Sequence, residues 1–433
     1  MTYTVNHHRQ KMGGPFLDRA ETAVGRFTRW LDQYGETSYD YQSFFAGPLG
    51  RWTKALYYRK PLLGTLAVAP MILCEAIVPA ARRLFWKAQR FPIADAHYAM
   101  GFAFLFQTSG QELHYQRAVH FLGVLKETRS PGYDNYGWGY PFDWGTRGGT
   151  IKQGTPLITT LPYAYESFRQ VYQIDRDPQW LEIMQSIARH ALEDYRDFPT
   201  SPDASSCAYM PGTLEPDRVV NASAYRAFLL TSAGMDLSDE TYRRVAERNL
   251  NFVLESQNED GSWFYSMDGV RDFVDHFHTC FVLKALAKIE RLTGCSRCRA
   301  AIERGVGYYV RNLFDADGLP LPFSKRPRLT VYRRELYDYA ECINLGVLLS
   351  GRFPELDRVF SSAVADVLAR WQKTDGSFRS RQLLLGWDNV PMHRWAQAQV
   401  FRALSFFLFQ STRQPQEGIA GEKLQAVASH TAN

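Results

Sequence analysis

The sequence predicts an all-α protein built as a ring of six helix pairs, an (α/α)6 toroid. Three observations carry the prediction. Amphipathic stretches recur along the chain, each is followed by a stretch that is apolar almost all round, and the second stretches start at near-regular intervals. They begin near Pro92, Pro156, Val219, Phe273, Tyr337 and Pro391, at spacings of 64, 63, 54, 64 and 54 residues. A helix with one apolar face needs a partner surface, whereas a helix apolar on every side belongs in an interior. Repeats of this kind bury their apolar faces only against their neighbours. Six pairs can therefore close into a ring with the apolar helices inside.

The amphipathic members follow in order. Phe16 to Leu31 is the first. Residues 111–126 place Tyr115, Ala118, Leu122 and Leu125 on one side, and 179–195 do the same with Trp180, Ile183, Met184 and Ile187. Residues 242–254 align Tyr242, Val245, Asn249 and Val253; 298–313 align Ile302, Val306, Tyr309 and Leu313; 356–371 align Phe360, Ala363, Val367 and Trp371. Loop punctuation repeats as well: Asp260-Gly261-Ser262-Trp263 returns as Asp317-Gly318 and as Asp375-Gly376-Ser377-Phe378, at intervals of 57 and 58 residues. No segment alternates with period two, which disfavours a β-rich fold. The expected organisation is one toroid over residues 1–410, interrupted by an insertion at 34–90, with a polar, disordered tail over 411–433.

The insertion holds Pro61 to Ala81, PLLGTLAVAPMILCEAIVPAA, nearly long enough to cross a bilayer. Pro61, Pro70, Pro79 and Glu75 oppose a regular spanning helix. Arg51, Trp52, Lys54, Tyr57, Tyr58, Arg59 and Lys60 precede it, and Arg82, Arg83, Phe85, Trp86, Lys87 and Arg90 follow. Such flanks suit a segment lying at a membrane surface, so residues 51–90 are a candidate membrane contact. The alternative is a proline-broken helical pair buried against the toroid.

A formal net charge of +5, scattered over the chain, does not point to a nucleic-acid partner. The six cysteines have no framework spacing, and Cys295 and Cys298 form a single CxxC without the second pair a zinc site needs. MTYTVNHHRQKM lacks the apolar core of a secretory signal. The expectation is a reducing, cytoplasmic setting, at most peripheral to the inner membrane. Neither HExxH, GxSxG nor GxxxxGK[ST] occurs, so no metal or cofactor is expected.

All loops that lead from an amphipathic to an apolar helix lie at one end of such a ring, around a shared funnel. The longest holds GWGYPFDWGTRGGT (Gly137–Thr150), with four aromatic residues and five glycines. Trp138, Tyr140, Asp143, Trp144 and Arg147 are expected to face the funnel from it, joined by Trp263 and Tyr265 from the fourth loop and by Asp388, His393 and Arg394 from the last. His97 begins the first apolar helix beside Asp95. Aromatic faces stack on sugar rings, and interspersed charged groups hold hydroxyls and carboxylates.

Helical spacing sorts the acid–base candidates. In DFVDHFH, Asp272 and His276 are four apart and Asp275 and His278 three apart, so each pair shares a face, yet His276 and His278 cannot both face inward. A carboxylate fixing an imidazole would make a general base; a capped helix start with structural histidines is the plainer alternative. Asp338 and Glu341 share a face behind Tyr337, as an acid–base pair or as neutralisers of Arg333 and Arg334.

FPIADAHYAMGF, GWGYPFDWGTRGGT with TPLITTLPYAYE, DGSWFYS with DHFHTCFVLKAL, and HRWAQAQVFRAL resemble a bacterial family associated with exopolysaccharide and lipopolysaccharide biosynthesis. The likeness covers roughly residues 45–408. Members sometimes carry the label aminolevulinate dehydratase, which implies a β/α barrel with a Schiff-base lysine and does not suit helix pairs. More broadly the chain is similar to six-hairpin carbohydrate-active toroids: glycoside hydrolases, polysaccharide lyases and uronate epimerases. Their catalytic motifs do not match here residue by residue.

The expectation is an enzyme that modifies a polysaccharide or lipid-linked glycan, by proton abstraction from a uronate ring in an epimerase or lyase reaction. His276, His278 or Tyr140 would be the base, with Asp275, Asp338 and Glu341 as further catalytic candidates and Arg147 or Arg394 neutralising the uronate. The alternatives are an inverting glycoside hydrolase using two of Asp143, Asp275, Asp338, Glu341 and Asp388, a non-catalytic glycan-binding component of a synthase complex, and an isoprenoid-processing toroid.

Overall fold

Twelve helices alternate between the outside and the inside of a ring in the computed structural model, which describes residues 14–327 and 330–412. The expected N-terminal absence of a signal and the polar tail concern residues outside that range, apart from Ser411 and Thr412, which still belong to the last helix. The outer helices are Gly14–Tyr34, Glu112–Glu127, Pro178–Glu193, Glu240–Glu255, Ser296–Asn312 and Pro354–Asp366, the last continued by a π turn to Trp371. The inner helices are Pro92–Ser109, Leu161–Asp175, Val220–Asp236, His276–Thr293, Leu336–Leu348, and a π turn His393–Gln397 extended through 398–412.

Local sequence explains where these helices start and which face they bury. Pro178–Glu193 begins with proline at its first turn and Asp177 as N-cap, whose carboxylate accepts from the Gln179 amide at 2.9 Å. It buries Trp180, Ile183, Met184, Ile187 and Ala191 on one stripe. Its inner neighbour Val220–Asp236 is buried at every residue from Val220 to Gly234. An interior helix of that kind cannot expose polar groups, so Arg226 spends its guanidinium on the carbonyls of Ala191, Leu192 and Tyr195 and on Asp197.

The ring closes by reusing the loop punctuation. In DGSW, Asp260 accepts from the Ser262 amide at 2.9 Å while Gly261 adopts φ +95°, and a Cβ there would meet the Arg304 carbonyl of the next outer helix at 2.4 Å. In DGSF, Asp375 accepts from the Ser377 amide at 2.9 Å, Gly376 adopts φ +97°, and its Cβ would meet the Arg26 carbonyl of the first outer helix at 2.5 Å. Gln257 donates across the first junction to Ala301 O, and Gln372 across the second to Ala23 O. The sixth pair thus docks on the first as the fourth docks on the fifth.

Among the described residues the loops also contain nine strands of two to five residues, paired as short antiparallel ribbons. The sequence reading missed them, because such ribbons are too short to show alternation. Residues 35–91 form the insertion, with helices Ser43–Ala46, Pro48–Arg59, Pro61–Ile77 and Arg82–Phe85. It is clamped to the funnel end by buried ion pairs: Arg82 to Asp388 at 2.5 Å, Arg394 to Asp40 at 2.8 Å, and Arg381 between Glu75 and Glu335 at 2.5 and 3.1 Å.

Candidate functional site

The funnel end is where six outer-to-inner loops and the N-termini of the inner helices meet. A chain of ring contacts shows that four of them converge. His278 lies 4.6 Å from Tyr265, Phe277 5.1 Å from Tyr337, Tyr337 4.9 Å from Trp395, and the Arg394 guanidinium 4.5 Å from Trp395 and 4.3 Å from Tyr140. Residues from the second, fourth, fifth and sixth pairs thus share one aromatic wall. Its residues Phe277, Tyr337 and Trp395 lay outside the candidates read from the sequence, although each directly adjoins one of them.

Asp275 and His278 form a hydrogen-bonded pair in that wall. Asp275 is the N-cap of the fourth inner helix: one carboxylate oxygen accepts from the His278 amide at 2.9 Å, the other pairs with His278 Nδ1 at 2.6 Å. One side chain therefore caps the helix and orients the ring. With Nδ1 protonated and donating to the carboxylate, the lone pair of the neutral imidazole sits on Nε2. The His278 side chain keeps 22% of its surface exposed while Asp275 keeps 2%. His276, two residues earlier, points the other way. Its Nε2 meets the Tyr309 hydroxyl at 2.6 Å, it is fully buried, and burial lowers its pKa to about 3. Asp272 lies before the helix and pairs with Lys325 at the surface, so the alternative Asp272–His276 pair does not form.

Asp338, on the fifth inner helix, is fully buried, and neither carboxyl oxygen has a hydrogen-bond partner. Burial first, then the negative charges of Glu335 and Asp275, push its pKa well above the carboxylate range. It does not neutralise Arg333 or Arg334, since Arg334 pairs with Asp315. Glu341, one turn further along, pairs with Lys284 on the ring axis. Tyr163, Tyr225, Lys288 and Glu166 continue that axial network around a cavity of about 10 Å³, room for one water. His97 belongs to it too: it is fully buried, 3.0 Å from Arg402, with its pKa lowered well below the usual value by burial and then by Arg402.

Several expected sugar contacts lie elsewhere. Trp138 and Trp263 are buried, and their indole N–H groups donate at 2.9 Å to Leu125 O and Val253 O, capping the ends of outer helices. Their large rings serve the core, so they cannot touch a substrate. His393 is locked by the Tyr98 hydroxyl, Gly35 O and the Ser38 hydroxyl, and burial lowers its pKa to about 4. Asp388 and Arg394 are taken up by Arg82 and Asp40. Asp143 accepts from the Gln153 amide at 2.9 Å, which with nearby Lys152 and Arg51 holds its pKa low. Trp144 and Arg147 belong to a small ribbon, Trp144 half-buried against Tyr140 and Arg147 exposed at the turn. Among the described residues no group of three His, Cys, Asp or Glu side chains could hold a metal ion; Cys295 instead caps the helix at Cys298.

No protein-family model matches the sequence, and no curated protein matches it either. Solved structures do match in fold. An unsaturated glucuronyl hydrolase specific for heparin is 12% identical, with a TM-score of 0.62 over 93% of this chain and 99% of that one. Cellobiose 2-epimerase from Bacillus thermoamylovorans is 10% identical, with a TM-score of 0.58 over 74% of this chain and 87% of that one. The alpha-mannanase BT2949 of Bacteroides thetaiotaomicron is 9% identical, with a TM-score of 0.55 over 75% and 88%. The chain is an (α/α)6 toroid. At such identities the likeness is one of fold, and function has to come from the site.

Proposed function

We propose that the protein is a carbohydrate-modifying enzyme that abstracts a proton from a sugar ring, with His278 as base. The observation that carries this reading is the Asp275–His278 pair, its imidazole part-exposed in an aromatic wall. His278 Nε2 takes the proton from carbon, and Asp275 steadies the imidazolium that forms. In an elimination the His278 imidazolium gives that proton to the leaving oxygen, and in an epimerisation water returns a proton to the opposite face of the carbon; Asp338, fully buried, acts only through its neighbours Glu335 and Asp275. Structural neighbours that include a sugar epimerase and a glucuronyl hydrolase support a sugar substrate.

A uronate of a bacterial surface glycan, modified at the inner face of the membrane, is the substrate and setting we favour. Deleting the gene and determining the sugar composition of the surface polysaccharide tests this. An altered configuration at normal chain length supports epimerisation, unsaturated ends support elimination, and unchanged polymer removes the surface-glycan reading.

A further inference from the structure

The helix Pro61–Ile77 is mounted with its leucines facing out. At about 100° per residue, Leu62, Leu66, Leu73 and Ile77 fall within about 60° of one another, and they are 88, 73, 58 and 66% exposed. Gly64, Met71 and Glu75 fall on the opposite side, and these three are the buried ones. Gly64 lets this helix touch the preceding one, since a Cβ there would lie 2.0 Å from Tyr57 Cα. Glu75 turns its charge inward to Arg381 at 2.5 Å. A helix docked on a water-soluble protein would ordinarily show the reverse pattern.

The surroundings indicate what covers that stripe. Residues 51–90 hold eight Lys or Arg and a single acid, the inward Glu75. Arg59, Lys60, Arg83 and Lys87 are exposed, as are Leu49, Trp52, Val78 and Leu84. An apolar stripe rimmed by cations and a tryptophan matches the boundary between acyl chains and anionic headgroups. Spanning is ruled out for this helix alone: it has 17 residues with Pro70 inside, and among the described residues only the pair Pro61–Ile77 and Pro79–Phe85, bent by 118°, is long and apolar enough.

We propose that residues 48–87 dock the protein on an anionic bilayer, with helix Pro61–Ile77 lying in the interface plane. The ion pairs of Glu75 and Arg82 with Arg381 and Asp388 then hold the funnel end against the membrane. If the proposed function holds, the sugar is reached while still attached to a lipid; docking itself does not depend on that reading.

The test is flotation of the full chain with vesicles of phosphatidylcholine, alone and mixed with phosphatidylglycerol. Flotation is expected only with the anionic mixture, weakened by added salt. Leu62→Glu/Leu66→Glu/Leu73→Glu should weaken it by about tenfold or more per leucine, and R59E/K60E/R83E/K87E should abolish the preference for anionic lipid. All substituted side chains are exposed, so melting temperatures should stay unchanged. No flotation of the native chain, or undiminished flotation of the leucine variant, overturns the proposal. So does a native dimer, measured by sedimentation, that the leucine variant turns into a monomer.

Discussion

Two inner helices begin at the funnel with similar words, DHFH at the fourth and MHRW at the sixth, and the structure uses them in opposite ways. At the fourth, Asp275 holds His278 by one nitrogen and leaves the ring part-exposed. At the sixth, His393 has both nitrogens engaged, and Arg394 is bidentate on Asp40 at 2.8 and 2.9 Å with both side chains buried. The difference comes from what packs on each start: the insertion supplies Gly35, Ser38 and Asp40 at the sixth, whereas at the fourth the strand Phe323–Lys325 pairs with Val274–Asp275 and leaves His278 part-exposed. A histidine and a charge at a helix start thus become chemistry or clamp according to what packs over them.

Substitutions can break that contrast. His278→Ala should lower turnover by about 10²–10⁴-fold and leave the melting temperature nearly unchanged; steady-state assays and thermal denaturation on the same preparation check both. Arg394→Met should do the reverse of that stability result. It strands the Asp40 charge in the interior and should cost about 3–5 kcal/mol by denaturant titration, with Asp40→Asn added in the same chain recovering much of it.

The pH dependence of stability sharpens the comparison further. Burial depresses the folded pKa of His393 to about 4, below the unfolded 6.5, so the unfolded chain binds the extra proton first. Its stabilising contribution is complete above pH 6.5 and is lost as pH falls toward 4, an effect of about 3 kcal/mol. His393→Gln should reduce the slope of the stability curve over that range, while the buried His276 and His97, also lowered by burial, keep their own shares. The smallest expected effect is at Asp272. Asp272→Asn removes only an exposed pair with Lys325, and neither melting temperature nor turnover should move.

Much of the ring was legible because its signal is periodic. The expected start at Pro92 is where the first inner helix begins, and Val219 and Tyr337 are each one residue from the observed starts at Val220 and Leu336. Pro156 is five residues early, since residues 156–160 still belong to the loop before Leu161. The ribbon of Tyr332–Glu335 with Arg381–Leu383 pairs residues about fifty apart and leaves no local trace.

The site was legible in its residue types but not in their directions. Spacing limited DFVDHFH to one inward histidine, and only the cap at Asp275 decided for His278. Trp138 and Trp263 misled because a tryptophan in a glycine-rich loop reads like a sugar platform, whereas its N–H was needed to cap a helix end. Lys284 was overlooked although a lysine inside the apolar run FVLKALAKI signals a buried partner, which proves to be Glu341.

The central claim is that His278, held by Asp275, removes a proton from a sugar ring. The most direct measurement is deuterium incorporation into a uronate glycan from D₂O, followed by NMR, for the native protein and for His278→Ala. The native protein should place deuterium at one ring carbon, or lose that proton with an unsaturated end, and the variant should do neither. A native protein that labels nothing, or a His278→Ala variant that labels as fast as the native one, would contradict it.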